Sequence, residues 1–226
     1  MNTPTIAACV EPQIPQPDER FDRRSLLKTL GGAIAVLPLA GCAMTSGRGR
    51  GVDLGSGDAG IMNYALVLES LETEFYSIAL SRPYAGMPQY ERRALQNLHD
   101  VELVHREFFR LALGRQAIAK PEFDFSRINF NERTSVLMAA RDFESTGVAA
   151  YNGAANALRD PSILGVAGKI VSVEARHVAL LSDLLWPGGT EFAPEALDSA
   201  DGPRTVLRKI DPYVVTKLDG SRLPDA

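Results

Sequence analysis

Two Glu-x-x-His motifs lie within stripes of apolar residues that recur every three or four positions. Glu102 with His105 forms the first motif and Glu174 with His177 the second, and this spacing places each pair on one face of a helix. Burying an uncompensated carboxylate costs several kcal/mol, so such residues must be paired, protonated or bound to a metal. Two such motifs predict helices that pack with their polar pairs facing a shared partner.

Two further helical stripes each carry a glutamate with a tyrosine seven residues later, Glu69 with Tyr76 and Glu144 with Tyr151. The chain therefore repeats one plan, in which a Glu/Tyr helix precedes a Glu-x-x-His helix. This repeat predicts a pseudo-twofold bundle with one set of ligand residues from each half. We expect both tyrosines to pack in the core with hydrogen-bonded hydroxyls, although either could bond to a ligand carboxylate or relay an electron.

The chain contains only three histidines, and two of them follow a glutamate by three residues. Chance explains such a coincidence poorly. The third, His99, falls six residues before His105 and is expected at the surface or rim. On the residues alone, a buried network of salt bridges and hydrogen bonds without metal is the alternative to a metal site.

Capping and breaking residues divide the chain from residue 58 onward into four helices. We predict a first helix capped by Asp58 and ending near Ser81, a second from Pro88 to Gly114, a third opened by an Asn129/Glu132 capping box and ending near Arg159, and a fourth started by Asp160-Pro161 and ended by Pro187. No run of residues favours strands.

The lengths of the connections predict how these helices pair. Short links join the first helix to the second and the third to the fourth, so each pair should form an antiparallel hairpin. The middle link of roughly sixteen residues can extend about 50 Å, which exceeds the roughly 38 Å length of a 25-residue helix. The sequence therefore predicts an all-α four-helix bundle made of two antiparallel hairpins, with a long crossover between helices two and three.

The charge and the cysteine positions limit which partners and cross-links the chain can have. The net charge is -4, the pI is near 5.5, and no basic cluster follows the first 50 residues, so we expect no nucleic-acid partner. Both cysteines, Cys9 and Cys42, precede the predicted bundle, which excludes a disulfide within it. Residues 58–186 are predicted to form one bundle domain, and residues 187–226, with an apolar patch at 206–215, a tail that wraps its outside.

Arg23 and Arg24, followed by Ser25-Leu26-Leu27-Lys28 and a mildly apolar run, resemble a twin-arginine export signal. The alternative is a short amphipathic surface helix. Straight after it, Leu39-Ala40-Gly41-Cys42 resembles the lipobox of bacterial lipoproteins, and the alternative is an ordinary signal-peptidase site. The resemblance implies an export signal at 1–41, lipidation of Cys42, a flexible Gly/Ser/Arg-rich tether at 42–57, and a periplasmic or cell-envelope domain anchored to a membrane by lipid.

The helical motifs themselves resemble the ferritin-like superfamily over about residues 58–186, most of all the exported bacterial ferritin-like domain proteins of the desiccation-related type. The segments that carry this resemblance are Leu68-Glu69-Ser70-Leu71-Glu72-Thr73-Glu74-Phe75-Tyr76, Glu102-Leu103-Val104-His105, Phe143-Glu144 with Gly147 and Tyr151, and Glu174-Ala175-Arg176-His177.

The resemblance implies a dinuclear site for two iron or manganese ions. It implies Glu102 and Glu174 as bridging carboxylates and His105 and His177 as one nitrogen ligand per metal. Terminal carboxylates would be Glu69 and Glu144. Hard carboxylates with imidazole suit iron or manganese.

The sequence does not decide between Glu69 and Glu72 as the terminal ligand from the first helix. Glu72 lies on nearly the same helical face as Glu69. It precedes Glu102 by 30 residues, the same separation along the chain as that between Glu144 and Glu174. Glu72 is therefore either the true terminal ligand or a seventh one. Glu74 points elsewhere and is expected to be solvated.

The leading hypothesis for function is a redox enzyme of the cell envelope that acts on a small oxidant, peroxide or dioxygen. The sequence does not choose among peroxidase, oxidase and catalase-like chemistry, and a homodimer is possible. The alternatives are iron storage or sequestration without turnover and a metal-free structural or stress-protective bundle.

Overall fold

The computed structural model describes residues 51–224. The predictions for Arg23, Arg24 and Cys42 lie outside these residues. Within the described part, four long helices run as α1 (Gly57–Ser81), α2 (Gln89–Leu113), α3 (Arg133–Ala154) and α4 (Pro161–Leu185). A short helix α5 (Pro203–Ile210) and two two-residue strands, β1 (Val52–Asp53) and β2 (Leu218–Asp219), complete the regular structure there apart from short 3-10 turns. The predicted all-α four-helix bundle is confirmed.

The four long helices pair as two hairpins. Helix α1 packs along α2 and α3 packs along α4, while α1 and α3 face each other across the centre of the bundle. Helices α2 and α4 approach each other much less closely. The long link between α2 and α3 runs along the bundle, as predicted, so the crossover topology is also confirmed.

Helix starts agree with the sequence at α4 but not at α1. Asp160 caps α4 as predicted, because its carboxylate accepts the backbone N–H of Ser162 at 2.8 Å and Pro161 occupies the first turn. The prediction that Asp58 caps α1 is wrong, since Ser56 holds the N-cap position. Asp58 instead accepts two backbone N–H groups of the α3–α4 turn, those of Arg159 and Asp160, both at 2.9 Å. Asp58 thus accepts two backbone N–H groups from the α3–α4 turn, whereas a position at the N-cap of α1 would have provided one.

The predicted capping box at α3 is also wrong. Helix α3 begins at Arg133 with Glu132 at the N-cap and no side-chain cap. The side chain of Asn129 instead closes a local turn by accepting the N–H of Asn131 at 3.1 Å, a common competitor of helix capping. At its other end α3 stops at Ala154, before the predicted Arg159, because the chain tightens into a 3-10 turn ahead of the next helix.

The segments that flank the bundle meet each other. Strand β1 pairs in parallel with β2, with Val52 opposite Leu218. Helix α5 packs on α3, where Val206 and Ile210 are buried in the main apolar core. No helix within residues 51–224 has the length and apolarity needed to cross a membrane.

Candidate metal centre

Six residues singled out by their positions in the apolar stripes converge inside the bundle. All six are buried: Glu69, Glu102, His105, Glu144, Glu174 and His177. Each of the four long helices contributes at least one of them, so the cluster exists only when both hairpins have docked. The surrounding positions on the same stripes are apolar, which is why the helices turn these polar side chains inward together.

The six residues form two groups of four that share two members. The first group consists of Glu69, Glu102, His105 and Glu174, and the second of Glu102, Glu144, Glu174 and His177. In each group the four potential ligand atoms lie within 4.8 Å of one another. The sharing follows from position, because Glu102 and Glu174 lie on the two helices that carry the histidines.

Each shared carboxylate directs one oxygen to each histidine. Glu102 places Oε2 3.1 Å from Nδ1 of His105 and Oε1 2.8 Å from Nδ1 of His177. Glu174 places Oε1 2.9 Å from Nδ1 of His105 and Oε2 3.7 Å from Nδ1 of His177. Glu102 and Glu174 are therefore the two carboxylates that face both histidines.

The other two glutamates serve one half each. Glu69 places Oε2 3.5 Å from Nδ1 of His105, and Glu144 places Oε2 3.1 Å from Nδ1 of His177. One histidine nitrogen thus faces three carboxylate oxygens in each half. A neutral or protonated imidazole carries at most one hydrogen on that nitrogen, so it can donate to only one of the three.

The hydrogen bonds within the cluster leave four carboxylate oxygens without a donor. His105 can bond Glu102 and His177 can bond Glu144, each at 3.1 Å. Within residues 51–224, the buried oxygens of this cluster that accept no hydrogen bond are Glu69 Oε2, Glu102 Oε1, Glu174 Oε1 and Glu174 Oε2. These are the same oxygens that approach a histidine nitrogen at 2.8 to 3.7 Å. Since buried acceptors are almost always satisfied, this pattern points to cations as their partners.

Tyrosines from the opposite hairpin support the two outer glutamates. The hydroxyl of Tyr76 on α1 donates to Oε1 of Glu144 on α3 at 2.6 Å. Reciprocally, the hydroxyl of Tyr151 on α3 donates to Oε1 of Glu69 on α1. The expectation that both tyrosines pack in the core with bonded hydroxyls is confirmed. Each bond leaves the other oxygen of its glutamate directed at a histidine.

The buried charges perturb one another strongly. Burial raises the pKa of Glu69 to about 8, with the carboxylates of Glu174 and Glu102 adding to the effect. Burial also raises the pKa of Glu144 well above its ordinary value, helped by the same two neighbours. Burial opposes the charged form of His177, but its bonds to the surrounding carboxylates outweigh that effect and raise its pKa to about 12. Without cations, this site must therefore hold protons in their place.

Glu72 lies beside the cluster but belongs to neither group of four. It is buried, and its carboxylate adjoins Gly147, where a Cβ atom would lie only 3.3 Å from Glu72 Oε1. Burial raises the pKa of Glu72 well above its ordinary value, and Glu144 and Glu174 raise it further. The structure thus places Glu69 against His105 and leaves Glu72 beside the cluster.

The remaining polar candidates lie outside the cluster. His99 bonds to Ser77 and Asp100 at the rim, as predicted. Glu74 is not freely solvated, because its carboxylate is half-buried and pairs with Nζ of Lys120 at 2.5 Å. The sequence did not reveal Lys120 as its partner, since the two are far apart in the chain.

The long helices coincide with a known family. Residues 57–186 match the family model for the ferritin-like domain. The chain belongs to the ferritin-like domain family. No curated protein matches the sequence.

The side chains of this ferritin-like domain suit a bound metal ion. Their donor atoms are carboxylate oxygens and imidazole nitrogens, the combination that suits iron, manganese and related divalent ions. Among the described residues, four of the oxygens lack a hydrogen-bond donor, and four buried glutamates face only two histidines. Cations would relieve both the missing partners and the excess negative charge.

Proposed function

We propose that this ferritin-like protein holds two iron or manganese ions between Glu69, Glu102, His105, Glu144, Glu174 and His177 and acts on peroxide or dioxygen. One observation carries the proposal: each of Glu102 and Glu174 directs one oxygen to each histidine. In a salt-bridge network without metal, the single hydrogen on Nδ1 of each histidine would need only one carboxylate acceptor, whereas three carboxylate oxygens face that nitrogen. Two carboxylates that each serve both halves favour two neighbouring cations.

When bound, a pair of iron or manganese ions supplies two electrons for reaction with an oxygen–oxygen bond. The protein contributes orientation and a dry environment. Tyr76 and Tyr151 hold the outer oxygens of Glu144 and Glu69, so these carboxylates keep their inner oxygens on the histidines. The apolar side chains around the cluster limit access of water, which strengthens charge interactions inside.

The proposal is tested first by metal content. Protein purified without chelator after native export should hold close to two iron or manganese ions per chain. Glu102→Ala and Glu174→Ala each remove a carboxylate that serves both halves, so each should abolish retention of both ions and consumption of peroxide or dioxygen. Glu74→Ala is the matched control, because Glu74 lies on α1 but pairs with Lys120 outside the cluster. Wild-type protein that holds no metal, with a melting temperature that ignores added iron or manganese, would favour a metal-free bundle.

The same measurement separates Glu69 from Glu72. Glu69 approaches His105 at 3.5 Å, whereas Glu72 lies in neither group. We therefore expect Glu69→Ala to lose more metal than Glu72→Ala. The reverse order would make Glu72 the terminal ligand.

We further propose that the protein is exported by the twin-arginine route and anchored by lipid at Cys42, which places it in the periplasm or cell envelope. The support is the Arg23-Arg24 pair and the Leu39-Ala40-Gly41-Cys42 segment. Replacing both arginines by lysine should leave precursor in the cytoplasm. Cys42→Ala should move the domain from the membrane fraction to the soluble fraction. Export or membrane attachment that ignores these changes would refute the corresponding assignment.

A further inference from the structure

A groove open to solvent lies where the α1–α2 hairpin meets the link that follows α2. Side chains of α1, of α2 and of link residues 118–120 line it. Its volume is about 330 Å³, at the lower end of the range of about 300–1,000 Å³ that is usual for small-molecule sites. None of its lining residues belongs to the candidate metal centre. The groove is therefore a separate candidate site, large enough for a small organic molecule.

Positive charge is in excess around this groove. Three cationic side chains line it, those of Arg106, Arg110 and Lys120. Two carboxylates pair with them, since Glu107 accepts hydrogen bonds from both arginines and Glu74 pairs with Lys120. Burial alone would raise the pKa of Glu107, but the bonds from the two arginines hold that pKa below 4.5. Three cations against two carboxylates leave one positive charge, although the chain as a whole carries a net charge of -4.

The carboxylate of Glu107 holds the two arginines side by side and leaves some of their donors unused. Its Oε1 accepts Nη2–H of Arg106 at 2.9 Å, and its Oε2 accepts Nε–H of Arg110 at 3.0 Å. A guanidinium carries five N–H donors. Within residues 51–224, Nη1 of Arg106 and both Nη groups of Arg110 have no hydrogen-bond acceptor. Such donors pair best with a carboxylate or a phosphate.

Apolar side chains complete the lining and favour an organic anion over an inorganic one. Leu66 of α1 and Ile118 and Ala119 of the link line the groove together with the cations. A hydrocarbon chain attached to a carboxylate would bury apolar surface against them, which inorganic phosphate cannot do. The single surplus positive charge also matches one carboxylate better than a doubly charged phosphate.

We propose that this groove binds a small organic monocarboxylate, with its carboxylate on Arg106 and Arg110 and its hydrocarbon part against Leu66. This site goes beyond the proposed function and does not depend on it, because no metal-ligand residue lines the groove. Its ligand stays chemically unchanged on binding, so affinity alone measures it.

Calorimetric titration of the purified protein with acetate, butyrate and inorganic phosphate tests the class of ligand. Butyrate should bind more tightly than acetate, by up to about fourfold for each added methylene that the groove buries. It should also bind more tightly than phosphate. Absence of saturable butyrate binding overturns the site, and phosphate that binds more tightly than butyrate overturns the choice of an organic carboxylate.

Surface variants test the place of binding. Arg110→Gln removes the unused guanidinium donors and should weaken butyrate binding by about 10- to 100-fold. Arg115→Gln is the matched control, because Arg115 is also exposed near the end of α2 but does not line the groove. Ala119→Glu cancels the surplus charge and should weaken binding more than Ala119→Gln, which adds a side chain of the same size without charge. Both Ala119 variants should fold, since Ala119 is exposed. Equal affinity of Arg110→Gln and Arg115→Gln overturns the proposal.

Metal content separates this proposal from the proposed function. All four variants should retain the metal content of the wild type, because none of them replaces a residue of the metal cluster. Butyrate binding by wild-type protein that is purified without metal supports the groove and counts against the proposed function alone. Metal-loaded protein that does not bind butyrate overturns the groove and leaves the metal centre intact.

Discussion

Removing a single hydroxyl tests how the tyrosines support the cluster. Tyr76→Phe deletes the donor to Glu144 while keeping the ring, which is fully buried. A buried carboxyl oxygen then loses its partner, and leaving such an acceptor unsatisfied costs about 1–3 kcal/mol. Tyr151→Phe should cost a similar amount, because it deletes the equivalent donor to Glu69.

Tyr64→Phe provides the matched control. Tyr64 is also buried on α1, but its hydroxyl has no hydrogen-bond partner among the described residues. Deleting a buried hydroxyl without a partner should leave the free energy of unfolding unchanged or raise it. The three variants thus make the same chemical change, but only Tyr76→Phe and Tyr151→Phe are expected to lower the free energy of unfolding.

Urea unfolding with chelator present measures these differences without metal. For a domain of this size, a loss of 1–3 kcal/mol also lowers the melting temperature by roughly 2–4 °C per kcal/mol. Equal losses for Tyr64→Phe and Tyr76→Phe would refute the role assigned to the hydroxyl, because only the ring would then matter. In protein loaded with metal, Tyr76→Phe and Tyr151→Phe should weaken metal affinity by about 10–100-fold, whereas Tyr64→Phe should not.

Three further predictions concern the scaffold. Burial alone would raise the pKa of Glu91, but the guanidinium of Arg133 and the hydroxyl of Tyr84 hold it below the ordinary 4.5. Charged Glu91 therefore stabilises the fold above about pH 4.5, and this contribution is lost as the pH falls through its lowered folded-state pKa. Glu91→Gln should flatten that acid limb in pH-dependent urea unfolding and cost about 1.5–3 kcal/mol at pH 7; an unchanged limb would contradict this. Gly153→Ala should destabilise by about 1–3 kcal/mol in the same assay, because its Cβ would lie 2.0 Å from the backbone oxygen of Asp201. Gly168→Ala, where nothing lies within 4 Å, should stabilise α4 by about 0.5–1 kcal/mol, and a loss there would contradict the open surface.

The bundle could be predicted from the sequence because its signals are local and repeated. Apolar positions at three and four residues define each helix, and the lengths of the links fix the hairpins. The cluster followed for the same reason, since Glu102 and His105 can share an apolar stripe only if both turn inward. Spacing therefore predicted the fold and the buried polar positions, whereas the assignment of these residues as metal ligands came from the resemblance to the ferritin-like superfamily.

Contacts between distant segments could not be predicted in the same way. Asp58 binds the α3–α4 turn, about a hundred residues away, and no local pattern indicates that pairing. The crossed bonds of Tyr76 and Tyr151 to the other hairpin depend on how α1 and α3 face each other, which periodicity does not specify. The same limit hid Lys120 as the partner of Glu74.

Because residues of each hairpin contact cluster residues of the other, the two halves of the domain are constrained to evolve together. His105 needs Glu174 from the other hairpin, His177 needs Glu102, and each outer glutamate is supported by a tyrosine from the opposite side. If the repeated plan arose by duplication of one hairpin, neither copy could afterwards drift alone. A substitution in one half would alter the selective pressure on its counterpart, and effects measured across the pair should not be additive.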